Sequence, residues 1–115
     1  MKVFLGGTIG AEYWRKDLIK MLDIEYFNPR VEDWTPECIE EENRQKKYSD
    51  VQLFVITPEQ SGVYAIAEAV HATMLKRKVV FCILRSHGHE SFNEPRWKSM
   101  MATAYLLDGE GARFC

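Results

Sequence analysis

The stretch from residue 50 to residue 84 constrains the fold of this chain more than any other part of the sequence. It reads DVQLFVIT, PEQSG, VYAIAEAVHATMLKRK and VVFCIL in turn. The first and last segments are apolar runs of strand length, too uniformly apolar for a sheet with one face in water. The third segment has the length and composition of a helix. Strands joined by a helix pair in parallel through a right-handed crossover, so this stretch predicts one unit of a parallel α/β sheet.

The rest of the chain continues this alternation. Strands are predicted at residues 2–5, 24–27, 51–57 and 79–84, with a short edge strand at 112–114. Helices are predicted at 11–22, from 35 to about 48, 61–76 and 95–107, and residues 85–94 are predicted as a polar loop. Thr35 followed by Pro36 is a typical helix start, with the threonine as N-cap. We therefore predict a single α/β domain over residues 1–115, a three-layer, flavodoxin-like (Rossmann-like), doubly wound parallel sheet of strand order 2-1-3-4-5.

Composition and charge exclude several classes of protein. The chain has 115 residues, 46% of them hydrophobic, and a net charge of −2. This length suits one core that folds without disulfides or metal, and the three cysteines lack CxxC spacing. The small negative charge gives no sign of a nucleic-acid-binding surface. No apolar run approaches the roughly 20 residues of a membrane span and no signal peptide is recognisable, so we predict a cytoplasmic protein that binds neither membrane nor nucleic acid.

The carboxyl ends of the predicted strands 1 and 3 are the expected ligand site. Ligands of such sheets bind where the strand order reverses, which here is between these two strands. Strand 1 is followed by Gly6, Gly7 and Thr8, and strand 3 by residues 57–62. Two glycines let a ligand approach the backbone, and Thr8 can donate a hydrogen bond, although a tight strand-to-helix turn explains these residues equally well. Their spacing matches neither the dinucleotide fingerprint nor a P-loop.

The helix that follows strand 3 carries the most unusual charged residue. Free N–H groups near Ser61 and Gly62 favour an anion or a sugar hydroxyl, whereas the simpler explanation is a serine N-cap. Glu68 lies among alanine, isoleucine and valine, with Tyr64 and His71 on its helical face. Burying a carboxylate costs free energy because the group loses its hydration, so a buried glutamate usually has a specific role, and catalysis is one such role. The alternative is a glutamate that faces solvent or pairs with His71.

Several other polar or aromatic residues are weaker candidates. Asp50 opens strand 3 at its amino end, which geometry alone favours as a turn position. Trp34 is the better placed tryptophan to stack on a base. Residues 87–90 read His-Gly-His-Glu, but no further ligand lies at zinc-site spacing, so a mobile polar loop is favoured over a metal site.

Two helices carry patterns with a structural interpretation. In the helix from residue 35 to about 48, Glu40 with Arg44 and Glu42 with Lys46 lie four residues apart, which predicts a solvated face. The last helix has an apolar stripe for which packing on the sheet competes with a subunit interface. The stripe consists of Trp97, Met100, Met101 and Tyr105.

These segments resemble the nucleoside 2-deoxyribosyltransferase superfamily, including its deoxynucleoside 5′-monophosphate N-hydrolase branch. The matching pieces are VFLGGTI, WRKDLIKML, NP, YSDVQLFVITPEQSGVYAIAEAV and KRKVVFCILR, and the closing DGEGARF is similar to the hydrolase branch. The resemblance implies an enzyme that cleaves or transfers at the N-glycosidic bond of a (deoxy)nucleoside or its 5′-monophosphate. It also implies that no metal or organic cofactor is needed, that the partner is a small molecule, and that the protein forms a homodimer or larger homo-oligomer.

The resemblance also implies roles for individual residues. Glu68 is the implied nucleophile that forms a glycosyl-enzyme, and Asp50 the implied aspartate that helps to handle the leaving base. Ser61 and Gly62 match the turn that binds the 5′-hydroxyl or 5′-phosphate, and Gly7 and Thr8 match the strand-1 loop. Gly6, Trp34 and Tyr64 complete the set of candidate substrate-binding residues on the grounds given by the sequence itself. The strand-1 loop lacks the tyrosine and the 60–62 turn lacks the aspartate common in transferases, so hydrolase and transferase both stay open.

A second hypothesis is a non-catalytic module on the same fold that binds a nucleotide or an ADP-ribose-like ligand. Fold does not determine function, and such a module would keep the strand-1 loop and the 61–62 turn without needing Glu68. A phosphoacceptor receiver domain has similar topology but is rejected, because glycines replace the acidic pair after strand 1 and strand 3 ends in Thr57.

Overall fold

The computed structural model describes residues 1–8, 13–29, 35–59 and 61–115. Its main sheet has five parallel strands in the order β2-β1-β3-β4-β7, and a second sheet is the antiparallel hairpin β5-β6. The elements along the chain are β1 (Lys2–Gly7), α1 (Tyr13–Met21), β2 (Glu25–Phe27), α2 (Pro36–Tyr48), β3 (Val51–Ile56), α3 (Val63–Met74), β4 (Val79–Ile83), β5 (Ser86–His87), β6 (Glu90–Ser91), α4 (Glu94–Gly109) and β7 (Arg113–Phe114).

The main sheet confirms the predicted fold class and strand order. Strand β7 takes the place of the predicted fifth strand, because β5 and β6 lie outside the main sheet. The prediction of a plain loop at residues 85–94 is wrong, since these two short strands pair within it. Gly88 lies at their turn with a φ of 61°, a value that tight hairpin turns require and that glycine adopts without strain.

The helix boundaries agree with the predictions at α2 and differ at α3. Helix α2 begins at Pro36 with Thr35 as an extended N-cap. Helix α3 begins two residues later than predicted, and its N-cap is Gly62 rather than Ser61. The N–H of Ile66 donates to the carbonyl of Gly62 at 2.9 Å, which makes Gly62 the first acceptor of the helix. For α1, predicted at residues 11–22, positions 11 and 12 lie outside the described residues.

The hydrophobic core lies between the central strands and helices α3 and α4. Phe4, Phe54 and Phe81 are almost completely buried on three neighbouring strands. Helix α3 faces them with alanines, whose small side chains allow the helix to lie close to the sheet. These alanines are Ala65, Ala69 and Ala72.

The apolar stripe of the last helix packs on the sheet only in part. Trp97 and Met100 pack against the core, whereas Tyr105 is 64% exposed. Among the described segments, no helix is both long enough and apolar enough to cross a membrane.

Both glycines at the end of β1 are explained by internal packing. A Cβ atom on Gly6 would lie 2.5 Å from the ring of Phe54. Gly7 has a φ of +117°, and a Cβ atom there would lie 2.1 Å from the carbonyl oxygen of Val55. The close contact of β1 with β3 therefore requires glycine at position 7, whether or not a ligand also approaches it.

Replacement of Gly7 tests this requirement. We expect Gly7→Ala to lower the free energy of unfolding by about 3 kcal/mol or more, since strained backbone and a clash with backbone atoms add together. Gly109→Ala is the matched control, because a Cβ atom there meets nothing within 4 Å. That variant should be neutral or stabilising by up to about 1 kcal/mol. Urea denaturation measures both, and equal effects would contradict this account of Gly7.

Candidate active site

The carboxyl ends of β1 and β3 are joined by Thr8. Its N–H donates to the carbonyl of Val55 at 2.9 Å, and its hydroxyl accepts from the N–H of Thr57 at 3.0 Å. Thr8 is only 1% exposed. The threonine therefore fixes the two strand ends relative to each other, which gives the expected ligand edge a rigid floor.

Arg15 holds the end of β1 from the side of α1. Its guanidinium donates to the carbonyls of Leu5, Gly7 and Thr8 at 3.3, 3.3 and 2.9 Å. Arg15 is 1% exposed, and its guanidinium lies 4.3 Å from the ring centroid of Trp14. The burial of Trp14 follows from the helical stripe, but no pattern in the sequence distinguishes Arg15 from the exposed lysines of the same helix. Sequence reasoning missed it for that reason.

The amino end of α3 lies beside this floor. The Cβ position of Gly62 is 3.5 Å from the hydroxyl oxygen of Thr8, which places the start of the helix next to the β1 loop. Among the described residues no side chain caps the helix, so a serine cap at Ser61 is not formed and Ser61 is exposed. Tyr64, in the first turn, is 63% exposed. The first N–H groups of α3 thus have no side-chain acceptor among the described residues, and helix starts of this kind attract anions and hydroxyls.

Glu68 forms an ion pair that neither sequence-based alternative predicted. Its Oε2 atom lies 2.6 Å from Nζ of Lys46 on α2, rather than in solvent or against His71. The side chains of Lys46 and Glu68 are 10% and 12% exposed. Lys46 also lies 5.8 Å above the ring centroid of Phe4 on β1. The candidate nucleophile is therefore a largely desolvated carboxylate that accepts a charge-assisted hydrogen bond.

A second carboxyl group, that of Glu42, interacts with the Lys46–Glu68 ion pair. It lies one helical turn before Lys46 on α2, so the two side chains share a face. Burial, followed by the charge of Glu68, raises the pKa of Glu42, while Lys46 and Arg15 act in the opposite direction. A carboxyl group that holds its proton more tightly than usual thus lies beside an ion-paired carboxylate.

The prediction of a solvated face on α2 is correct only in part. Arg44 binds Glu41 at 2.6 Å instead of Glu40. Lys46 is buried, and its ammonium donates a hydrogen bond to Glu68 of α3 instead of pairing with Glu42. Spacing along one helix cannot show which of its faces a second helix covers, and this is why Glu42 and Lys46 were not predicted as site residues.

Asp50 lies at the other edge of the sheet. Its carboxylate accepts from the backbone N–H of Lys2 at 2.7 Å, and its own N–H donates to the carbonyl of Lys2 at 2.9 Å. Both contacts are at the amino end of β1, so the structure does not bring Asp50 to the carboxyl edge with Thr8 and Gly62. The sequence also placed Asp50 at the amino end of this strand, and its implied role in handling the leaving base stays a prediction. Trp34 lies outside the described residues.

The hairpin β5-β6 contacts the turn that follows β3. His87 Nδ1 bonds to Glu59 Oε1, and Nη1 of Arg96 lies 3.5 Å from the carbonyl oxygen of Pro58. Burial acts to raise the pKa of Glu59, but the nearby hydroxyl of Thr57 and the bond to His87 outweigh it and the net shift is downward. The predicted polar loop is therefore attached to the ligand edge. Within the described part of the chain, no group of three or more His, Cys, Asp or Glu is arranged to hold a metal ion.

The raised pKa of Glu42 predicts a pH dependence of stability. The folded protein binds this proton more tightly than the unfolded chain, where the ordinary pKa is 4.5. As pH rises above that value, the unfolded chain ionises first and gains stability, so the free energy of unfolding falls. Glu42→Gln lacks this loss and should gain stability over wild type between about pH 4 and about pH 7, by less than about 1 kcal/mol at this half-exposed position. Urea denaturation at both pH values measures the gain.

The control for this experiment is Glu40→Gln, on the exposed side of the same helix. Its stability difference from wild type should not change over the same pH range. A gain of the same size in both variants would mean that general charge repulsion, and not the environment of Glu42, causes the effect.

The comparisons with known proteins agree with the motifs of the sequence. A family model described as nucleoside 2-deoxyribosyltransferase like matches residues 1–86. No curated protein and no solved structure matches the chain. The matched region runs from β1 into β5 and contains Thr8, Arg15, Glu42, Lys46 and Glu68. Since the match covers well over half of the chain, this protein belongs to the nucleoside 2-deoxyribosyltransferase-like family.

Proposed function

We propose that this protein cleaves the N-glycosidic bond of a (deoxy)nucleoside or its 5′-monophosphate, with Glu68 as the nucleophile. One observation carries the proposal: two carboxyl groups of different character, Glu68 and Glu42, lie around one buried lysine. Hydrolysis at a glycosidic carbon uses such a pair, one group as the anion and the other as the acid. Family membership supports a nucleoside as the class of substrate.

Glu68 is suited to attack the anomeric carbon. The ammonium of Lys46 lies 2.6 Å from Oε2 of Glu68 and holds that carboxyl group in place, and the low exposure of both side chains keeps most water away. An oxygen of Glu68 bonds to the anomeric carbon as the bond to the base breaks, which forms a glycosyl-enzyme. Water or a second base then takes the sugar and restores the carboxylate.

Glu42 is proposed as the acid that protonates the leaving base. The resemblance implied this kind of role for Asp50, but the carboxylate of Asp50 is bound at the amino edge of the sheet. Glu42 faces Lys46, interacts electrostatically with Glu68, and has a raised pKa. In the second step its carboxylate accepts a proton from the attacking water or acceptor base, as microscopic reversibility requires. Because protein carboxyl groups supply both functions, these steps need no metal or organic cofactor.

The sugar and any phosphate are proposed to bind at the carboxyl edge. The uncapped start of α3, at Gly62 and Tyr64, offers N–H groups to a 5′-hydroxyl or 5′-phosphate, and Ser61 adds an exposed hydroxyl. The backbone at Gly6, Gly7 and Thr8 forms the floor, which Arg15 holds in shape. Self-association, which the family resemblance implies, has apolar surface available at Tyr105 and Leu106, which are 64% and 63% exposed.

Release of free base tests the proposal. Deoxynucleosides and their 5′-monophosphates are incubated with the wild type and with Glu68→Gln, and the products are separated by chromatography. We expect Glu68→Gln to lower the rate at least about a thousandfold, because it removes the nucleophile while keeping the shape of the side chain. Glu42→Gln should lower it by about a hundredfold or more, as loss of a general acid does. Glu40→Gln should retain full activity.

Added free base separates the possible outcomes. Exchange of the added base into the product identifies a transferase, and release without exchange identifies a hydrolase. If no substrate is turned over and calorimetry shows that the wild type and Glu68→Gln bind nucleotide equally well, the enzyme proposal fails. The non-catalytic nucleotide-binding module then becomes the better account.

A further inference from the structure

Lys46 is a buried cation that is ion-paired with one carboxyl group and interacts electrostatically with a second. It binds Glu68 of α3 at 2.6 Å, and Glu42 lies one turn before it on α2. The side chain of Lys46 is 10% exposed, so water screens its charge weakly. A change in the charge of either carboxyl group therefore changes the electrostatic energy of the Lys46 ammonium.

The proposed reaction changes both of these charges. When Glu68 forms an ester with the sugar, it loses its negative charge, and Lys46 is left beside a neutral group. A buried ammonium without an anion is strongly disfavoured. In the same step Glu42 gives up its proton and becomes an anion, within reach of a lysine four residues away on the same helix.

We propose that Lys46 is a positioning residue whose ion pair passes from Glu68 to Glu42 as the glycosidic bond breaks. The inference rests on the proposed function. An oxygen of Glu68 forms the bond to the anomeric carbon, and the bond from that carbon to the base nitrogen breaks. The electron pair stays on the base nitrogen, which takes the proton of Glu42. The negative charge moves from Glu68 to Glu42, so the net charge of the three groups does not change.

The surroundings of Lys46 suit this movement. The carbonyl of Lys46 accepts from Nε2 of Gln52 at 3.2 Å, which fixes the backbone of the lysine to β3. The aliphatic part of the lysine side chain can then rotate and move the ammonium across the ring of Phe4. Nζ lies 5.8 Å from the centroid of that ring. Arg15, from α1, adds a second positive charge that favours the anion of Glu42. When water attacks the anomeric carbon, Glu42 takes a proton from that water and the ester bond to Glu68 breaks. Glu68 regains its negative charge, and the ammonium of Lys46 pairs with Glu68 again.

The groups that face Glu42 set the direction of each expected effect. Glu68 raises the pKa of Glu42, whereas Lys46 and Arg15 lower it. Removing the charge of Lys46 should therefore move the titration of Glu42 to higher pH, and removing the charge of Glu68 should move it to lower pH. Because Glu42 must hold a proton to release the base, the alkaline limb of the rate profile should follow the titration of Glu42.

Two measurements on the whole protein test the inference. The first is ¹³C NMR titration of labelled glutamate carboxyl groups, with the signal of Glu42 assigned by its loss in Glu42→Gln. We expect Glu42 to titrate at higher pH in Lys46→Met than in wild type, at lower pH in Glu68→Gln, and near the wild-type pH in Lys46→Arg. If Lys46→Met does not fold, Lys46→Gln, which keeps a hydrogen-bond donor without charge, serves in its place.

The second measurement is the pH profile of base release. We expect Lys46→Met to lower kcat by about a hundredfold and to shift the alkaline limb upward, and Lys46→Arg to restore both toward wild type. If the role of Lys46 were merely structural, Lys46→Met would not move the alkaline limb, and Lys46→Arg would have no shift to reverse. Base release by the wild type with an unchanged profile in Lys46→Met would overturn this inference and leave the proposed function intact. No base release by the wild type would overturn both.

Discussion

Burying a charged side chain costs free energy unless the charge is paired or hydrogen-bonded. Two buried cations of this protein are bonded in this way, and their bonds hold helices in place around the sheet. Arg15 donates to the backbone carbonyls of Leu5, Gly7 and Thr8 at the end of β1 and thereby attaches α1 to the strand that carries the ligand edge. Lys46 joins α2 to α3 through Glu68. The floor of the proposed site and its carboxyl groups are thus fixed by interactions within the protein, before any substrate binds.

The sequence was sufficient to predict the sheet and one member of the charged cluster. Uniformly apolar strands alternating with helices predicted parallel pairing and the strand order, and a single glutamate among alanines drew attention to Glu68. The partners of Glu68 were not predictable in the same way. Charges four residues apart on α2 favoured a solvated face, and only the ion pair of Lys46 with Glu68 of α3 and the partial burial of Glu42 show that these two residues face inward. Pairing between helices depends on tertiary structure, which local spacing does not encode.

Position along the chain and position in space also diverge for residues identified by resemblance. Asp50 is close in sequence to Glu42 and Lys46, but its carboxylate is bound by the backbone of Lys2. The same distinction applies to Gly7, where the contact with Val55 is reason enough for a glycine. Ser61 and Gly62 were correctly placed near the start of α3, but the capping position is one residue later than a serine cap would require. A sequence motif indicates that a residue is important, whereas the contacts of that residue indicate its role.

The Lys46–Glu68 pair also limits how this family member can evolve. A substitution of either residue alone leaves an uncompensated buried charge, so neutral drift must change both positions together or pass through a destabilised intermediate. The two positions should therefore covary among descendants of this sequence. Purifying selection on folding would preserve the glutamate even in a lineage that had lost its chemistry. Retention of Glu68 in a relative is consequently weak grounds for assigning activity, whereas retention of Glu42, to which the described residues give no such stabilising bond, is the more informative marker.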